Sequence, residues 1–243
     1  MTLLLLAGTA EARVLNQAIS HRTDLVTSLA GVTDNPRALA GKVRRGGFGG
    51  ADGLARFIDA HDIRAVIDAT HPFAAQMSAN AAKAAEGRCP LLQLLRPEWP
   101  SAQNWQTASS LRAAADMLPR GARVFLATGR ASLDNFAHRQ DVTFICRVMD
   151  DRPGSFPIPG GKYLVSQPPF TIAQEVETLQ AERVACLVSR NSGGDGGTEK
   201  LEACARLGIP VIMVERPDLP DAERAATVEE AVAWLEAKGW LDA

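Results

Sequence analysis

The chain has 243 residues, of which 46% are hydrophobic and 22% charged, a composition typical of a globular protein with one large or two small α/β domains. Its 26 basic and 28 acidic residues give a formal charge of −2, so no overall field draws it to nucleic acid or to an anionic membrane. The apolar run at 3–7 is too short for the core of a signal peptide, so we expect a buried strand there. The four cysteines lack CxxC spacing, which predicts buried thiols and a reducing cytoplasm.

Short apolar runs alternate with alanine-rich helical runs along the chain, which is typical of βαβ units around a parallel sheet. The first half predicts strands at 3–7, 24–29, 64–69 and 90–95, with helices at 10–20, 51–61 and 73–86. The second half predicts strands at 123–128, 142–148, 162–166, 184–189 and 210–215, with helices at 109–118, 171–181, 198–207 and 228–238.

The alternation stops at ArgProGluTrpPro (96–100), where two prolines flank a tryptophan that we expect to be exposed. We therefore expect two Rossmann-like α/β domains, 1–97 and 98–243, with mostly parallel sheets and a cleft between them.

The turn after the first strand reads AlaGlyThrAlaGluAlaArg at 7–13. In open parallel sheets, ligands bind outside the carboxyl ends of the strands, beside helix N-termini that favour anions. Gly8 allows the backbone to approach a phosphate and Thr9 adds a hydroxyl group, although the full GxGxxG pattern is missing. The alternative is a tight turn in which Arg13 lies on an exposed helix face.

The second strand ends without the carboxylate that NAD-preferring enzymes use to bind the ribose 2′-hydroxyl. This absence leaves room for a 2′-phosphate, and Arg44 and Arg45, which precede Gly46, would supply cations to it. The alternative is a solvated basic pair in a surface loop.

The segment AspAlaThrHisProPheAla at 68–74 places a carboxylate, a hydroxyl and an imidazole at the end of the third strand. Pro72 suits the first turn of the next helix, so the alternative is that Asp68 or Thr70 caps that helix. No second ligand lies at metal-binding spacing from His71, and we expect no metal site.

In the second half, AlaThrGlyArg at 127–130 ends one strand, and SerArgAsnSerGlyGlyAspGlyGlyThrGluLys at 189–200 joins another strand to a helix. The composition of 189–200 is typical of a flexible linker. However, Lys200 lies on the first turn of the helix, where the macrodipole disfavours a cation unless an anion is bound. We therefore predict a ligand-binding loop. The sequence has no GxSxG elbow and no Walker lysine motif, which argues against acyl transfer and P-loop phosphoryl transfer. The remaining functions are redox chemistry and ligand binding without catalysis.

Three motifs, at 7–13, 68–74 and 189–200, occur in this order, and the last is followed by GlyIleProValIleMetValGluArgPro at 208–217. Together they resemble the precorrin-6A reductase family of cobalamin biosynthesis over essentially the whole chain. The resemblance implies a two-domain enzyme that binds NADPH in its cleft and reduces one double bond of the precorrin-6A macrocycle to give precorrin-6B. The implied partner is a polycarboxylate tetrapyrrole substrate, with transient contacts to neighbouring pathway enzymes. The alternatives are a cobalt-precorrin-6A reductase that uses NADH, a non-catalytic tetrapyrrole or nucleotide carrier, and a methyltransferase that uses S-adenosylmethionine.

The resemblance also assigns residues to roles. Near the cofactor it places Gly8, Thr9, Arg13, Ala30, Gly31, Arg44, Gly46, Asp68, Ala69, Thr70, Ser192, Gly193 and Gly194. The substrate's carboxylates require cations and donors at strand ends, which we assign to Thr128, Gly129, Arg130, Ser189, Arg190, Asn191 and Lys200. The candidate proton donors are His71, Lys200 and Tyr163, with bound water as the alternative.

Overall fold

The computed structural model describes residues 2–29, 39–149 and 154–242, which form two compact units. The first unit contains Met1–Pro97 and Pro217–Ala243, and the second contains Glu98–Arg216. Each unit is built around one six-stranded sheet in which every neighbouring pair is parallel. The predicted α/β class with two parallel sheets is confirmed.

The first unit has the strand order β12-β5-β4-β1-β2-β3. Its elements are β1 (Thr2–Ala7), α1 (Ala10–Ile19), β2 (Asp24–Leu29), β3 (Lys42–Arg45), α2 (Gly50–Ala60), β4 (Ile63–Ala69), α3 (Ala75–Ala85), β5 (Leu91–Leu94), β12 (Glu223–Ala225) and α7 (Val228–Ala237).

The continuous leucine run of β1 is buried on both faces of this sheet, as expected for a central parallel strand. Leu3 and Leu5 pack with apolar residues of α1 and α7, whereas Leu4 and Leu6 pack with residues of α2 and α3. Because β1 is flanked by β2 on one side and β4 on the other, the strand order reverses beside it. Such a reversal opens a crevice at the carboxyl ends of the strands.

The second unit has the strand order β6-β11-β10-β7-β8-β9. Its elements are β6 (Trp105–Ala108), α4 (Leu111–Asp116), β7 (Arg123–Leu126), a 3-10 helix (Arg130–Phe136), β8 (Thr143–Val148), β9 (Lys162–Val165), α5 (Ile172–Ala181), β10 (Cys186–Arg190), α6 (Glu199–Leu207) and β11 (Val211–Val214).

The C-terminal segment departs from the predicted division at 98–243. Residues from Pro217 onward belong to the first unit, because β12 pairs with β5 and α7 packs on α1. Trp99 also differs from expectation, since it is only 9% exposed and lies in the core of the second unit. Three short strands, β3, β6 and β12, were not predicted.

Among the described residues, no helix combines the length and apolar character that a membrane span requires.

Candidate functional site

In the first unit, the turns after β1 and β4 lie against each other at the carboxyl edge of the sheet. A Cβ atom added to Gly8 would contact the backbone of Thr70 and His71 at 3.7 and 3.6 Å. The two turns therefore lie within about one side-chain atom of each other at Gly8. The Thr9 hydroxyl accepts a hydrogen bond from the Ala12 amide at 3.1 Å and donates one to the Ala69 carbonyl at 3.0 Å. Thr9 therefore caps α1 and ties the two turns together. Arg13 follows on the exposed face of α1.

The segment after β4 is ordered by its own polar groups. The Asp68 carboxylate oxygen Oδ1 accepts hydrogen bonds from the Thr70 amide at 3.1 Å and the Thr70 hydroxyl at 2.6 Å. The alternative role as a helix cap is wrong, because α3 begins at Ala75 and its N-cap, Ala74, makes no side-chain capping bond.

His71 Nδ1 accepts a hydrogen bond from the Phe73 amide at 3.2 Å. A ring nitrogen that accepts an N–H bond carries no proton, so the neutral imidazole carries its proton on Nε2. The imidazole of His71 is thereby tied to the backbone of the turn after β4.

Arg44 and Arg45, the last two residues of β3, differ in their contacts. Arg44 donates to the Ser28 hydroxyl at 2.9 Å and to the Gly46 and Gly47 carbonyls at 2.8 and 3.0 Å, and it lies 3.8 Å from the centre of the Phe48 ring. Partial burial lowers its pKa from the usual arginine value. Arg45 is exposed, and its side chain forms no hydrogen bond or ion pair with the described part of the chain. The predicted cofactor residues Ala30 and Gly31 lie outside the described residues.

In the second unit, the turn after β7 presents Arg130. The Thr128 hydroxyl lies 2.7 Å from the Ser132 hydroxyl, which donates to the Gly129 carbonyl at 2.6 Å, so both polar groups fix the turn itself. The Arg130 guanidinium lies 3.8 Å above the centre of the Tyr163 ring on β9. A cation over an aromatic face gains electrostatic attraction, and Tyr163 thus supports Arg130 from below.

Arg190, the last residue of β10, donates from Nη2 to the Thr128 carbonyl at 2.9 Å. Its partial burial lowers its pKa. Ser189 is only 2% exposed, and its hydroxyl points back to the Arg190 carbonyl at 3.4 Å. The Arg190 guanidinium at the end of β10 is therefore held beside the turn that carries Arg130.

The glycine-rich loop 191–197 is held in place by two residues far away in sequence. Asn191 accepts a bond from the Trp99 amide at 2.9 Å and donates to the Trp99 carbonyl at 3.2 Å, while the Trp99 indole donates to the Gly194 carbonyl at 2.7 Å. Arg216 donates to the Asn191 and Ser192 carbonyls at 2.9 and 3.0 Å. The loop is thus not a free linker, and the Asn191 side chain binds Trp99 and Glu98; its contact with the substrate stays a prediction.

Positive φ angles of 67° and 75° at Gly193 and Gly194 explain why glycine is needed there. The carbonyls of Asn191 and Ser192 accept hydrogen bonds from Arg216, and the Gly194 carbonyl accepts one from Trp99, so the bend of the loop is fixed by the second unit itself.

Lys200 also differs from its predicted role. Its ammonium group donates to the Gly197 carbonyl at 2.5 Å and lies 5.1 Å from the centre of the Trp99 ring. Burial lowers the pKa of Lys200 to about 8. Lys200 therefore binds a carbonyl of the loop, and no bound anion is needed to explain a lysine at the start of α6.

The sequence reasoning missed a buried ion pair beneath this loop. Arg147 on β8 binds Glu175 on α5 through two contacts of 2.5 and 2.9 Å, and Glu175 is only 2% exposed. The Arg147 guanidinium also lies over the Phe125 and Phe170 rings, at 4.8 and 4.3 Å from their centres. These residues are far apart in sequence, so no local motif could have identified the pair.

A second omission was Gln93 on β5, whose Nε2 atom is buried and has no hydrogen-bond partner in the described chain. An orphaned donor beside the crevice, together with the close turn at Gly8, fits a polar ligand such as a dinucleotide. No group of three or more His, Cys, Asp and Glu side chains in the described ranges is placed to hold a metal ion.

Comparison with known proteins identifies the family of the chain. The family model for precorrin-6x reductase CbiJ/CobK matches residues 2–236. The chain belongs to this family.

Several precorrin-6A reductase relatives are similar over nearly their full length. The precorrin-6A reductase of Rhodococcus erythropolis is 45% identical over 240 residues, covering 96% of each chain. The cobalt-precorrin-6A reductase of Priestia megaterium is 29% identical over 247 residues, covering 95% of this chain and 96% of the relative. The solved structure of CobK precorrin-6A reductase superposes with a TM-score of 0.91 at 37% identity, covering 98% of this chain and 97% of that one.

Proposed function

We propose that this chain is a precorrin-6A reductase that uses NADPH to reduce one double bond of precorrin-6A, giving precorrin-6B in cobalamin biosynthesis. The observation that carries the proposal is the nearly full-length similarity to precorrin-6A reductases, at 45% identity to the Rhodococcus erythropolis enzyme. Similarity to a cobalt-precorrin-6A reductase is lower, at 29% identity, which favours the cobalt-free substrate.

The first unit supplies the dinucleotide site in this proposal. Its strand order reverses at β1, and the turn at Gly8 and Thr9 opens α1 at that point. In sheets of this type the pyrophosphate lies over the first βα turn, beside the free amides of the helix.

Arg45 is the better candidate for a 2′-phosphate contact, because Arg44 already binds three oxygen atoms of its own chain. Arg44 then shapes the turn at Gly46 and Gly47. A charge-assisted contact contributes about 1.5–3 kcal/mol, which corresponds to roughly 10- to 100-fold in affinity.

Arg45→Ala should therefore weaken NADPH binding by about that factor and leave NADH binding within about twofold. Isothermal titration calorimetry with both cofactors measures the difference, and Arg56→Ala, an exposed arginine of α2, serves as the control. Equal losses for NADPH and NADH would contradict the role of Arg45.

A reduced nicotinamide supplies the hydride when it is bound, so the chain has to bind, orient and exclude water. In the second unit, Arg130 and Arg190 provide guanidinium groups for the substrate's carboxylates. Because its Nδ1 accepts a hydrogen bond from the Phe73 amide, His71 is better suited to fix the turn after β4 than to release a proton, and the proton comes from water.

The direct test follows NADPH absorbance with purified protein and precorrin-6A. We expect one NADPH oxidised per macrocycle reduced, and no oxidation without substrate. Cobalt-precorrin-6A and NADH form the matched arms. No oxidation of either cofactor in the presence of authentic substrate would overturn the proposal, and faster turnover of the cobalt substrate would overturn the substrate assignment.

A further inference from the structure

Three polar residues lie side by side on one face of the first sheet. Asp68 on β4 is in register with Gln93 on β5, and Gln93 is in register with Arg224 on β12. Register partners in a parallel sheet point to the same face. The row continues to the edge strand that the C-terminal segment contributes.

The amide of Gln93 has a defined orientation. Its Oε1 atom accepts a hydrogen bond from Arg224 Nε at 3.3 Å. A guanidinium group only donates, so the atom that faces Arg224 must be the amide oxygen. The NH₂ group therefore faces away from β12, and it is the buried Nε2 atom without a partner in the described chain.

Gln93 is one of the residues that line a small cavity. The lining also includes the polar residues Asp68, Thr70, His71 and Ser78 and the apolar residues Leu95 and Leu219. The cavity has a volume of about 10 Å³, room for about one water-sized group and too small for an aromatic ring. It accepts only the terminal atoms of a polar group.

Beside the side chains of Thr70, His71 and Ser78, the lining includes a donor on Gln93 and an acceptor on Asp68. Gln93 Nε2 is the donor. Asp68 is the acceptor, because both of its hydrogen bonds, from the Thr70 amide and hydroxyl, go to Oδ1, and Oδ2 accepts none from the described residues. A primary carboxamide is complementary to this pair, because its carbonyl accepts and its NH₂ group donates.

The position in the sheet agrees with a nicotinamide carboxamide. In a sheet of this strand order the pyrophosphate lies over the turn after β1, and the adenosine ribose lies at the end of β2. The other half of a dinucleotide therefore extends toward β4 and β5, where Gln93 lies.

We infer that Gln93 and Asp68 bind the carboxamide of the nicotinamide ring, and that Arg224 is the positioning residue that holds the Gln93 amide in its orientation. The inference rests on the proposed function. A carboxamide fixed at both of its polar atoms sets the rotation of the ring about its glycosidic bond, and hence which ring face is presented to the substrate.

The test measures cofactor binding without catalysis, by isothermal titration calorimetry with oxidised NADP. Gln93→Met should reduce affinity about tenfold, while Gln76→Met, at an exposed position of α3, should leave it unchanged. Arg224→Met should lower affinity less than Gln93→Met, because it frees the amide to rotate without removing it.

A second measurement uses the unaltered protein and nicotinic acid adenine dinucleotide phosphate, in which a carboxylate replaces the carboxamide. This ligand lacks the N–H group for Asp68 and brings a like charge beside it, so it should bind at least about tenfold more weakly than NADP. This arm remains decisive if Gln93→Met fails to fold.

Equal affinity of the parent for both ligands would overturn the inference, as would a folded Gln93→Met variant that binds NADP like the parent. A variant that loses melting temperature but no affinity would assign the cavity to a structural water and would also overturn it. Failure of the parent to bind NADP and NAD in either redox state would instead overturn the proposed function, and this inference with it.

Discussion

The buried ammonium group of Lys200 should make the stability of the protein depend on pH, although the residue as a whole is partly exposed. Burial lowers its pKa from 10.5 to about 8. Burial away from water has the largest effect on this pKa. The Glu175 and Glu199 carboxylates raise the pKa, and the Arg147 guanidinium lowers it. The Cys204 thiol is the remaining titratable group nearby.

The sign of the pH dependence follows from proton binding. Between pH 8 and pH 10 the unfolded chain holds a proton on Lys200 that the folded chain has largely released, so the free energy of unfolding rises with pH. A shift of about 2.5 pH units between the unfolded and folded states gives a rise of about 2 kcal/mol between pH 8 and pH 10. Below pH 8 both states are protonated and this contribution becomes flat.

The assay is urea unfolding of the parent and Lys200→Met at pH 8, 9 and 10, with Lys238→Met as the control. Lys238 is an exposed lysine at the end of α7, 4.0 Å from Glu223. The parent and Lys238→Met should gain about 2 kcal/mol relative to Lys200→Met over this range, a midpoint change of roughly 1 M urea. If the curves of the parent and Lys200→Met shift in parallel with pH, the ammonium group is not buried as described.

Two further predictions concern the second unit. Tyr163→Phe should keep turnover within about twofold because the ring still supports Arg130, whereas Tyr163→Leu should raise the substrate KM about fivefold; a loss in kcat of about 100-fold in Tyr163→Phe would make the hydroxyl the proton donor instead. Trp99→Phe leaves the Gly194 carbonyl without its indole donor, which should lower the melting temperature by a few degrees and raise the substrate KM several-fold. Trp234→Phe, which loses an indole bond to a surface carboxylate, should leave KM unchanged, and equal KM values in both variants would show that the loop does not depend on Trp99.

The elements that the sequence predicts well are those with long apolar or amphipathic patterns. β1 and β4 are nearly continuous apolar runs, and α1 carries the spacing of a helix buried on one side. The strands that it misses are three or four residues long, lie at or near sheet edges and are rich in polar side chains, as in LysValArgArg of β3 and GluArgAla of β12. Their pairing is decided by the neighbouring strand and not by their own pattern.

The candidate site shows the same division. The positions of Gly8, Asp68 and the glycine-rich loop at carboxyl ends of strands follow from the βαβ pattern, whereas the partners of these groups do not. Trp99 binds Gly194 across 95 residues of chain, and Arg224 binds Gln93 across 131. Such contacts depend on tertiary packing. The sequence therefore predicts which residues lie at the end of a strand, but not whether their side chains bind a ligand or stabilise the loop.

The return of the chain to its first sheet constrains the order in which the protein folds during synthesis. The second unit is one uninterrupted segment, Glu98–Arg216, and contains every strand of its own sheet. The first unit lacks the edge strand β12 and the helix α7 until the segment after Arg216 has been synthesised. N-terminal domains usually fold first during synthesis, but here the first unit cannot pair the free edge of β5 or cover α1 with α7 until residues that follow the second unit have been made.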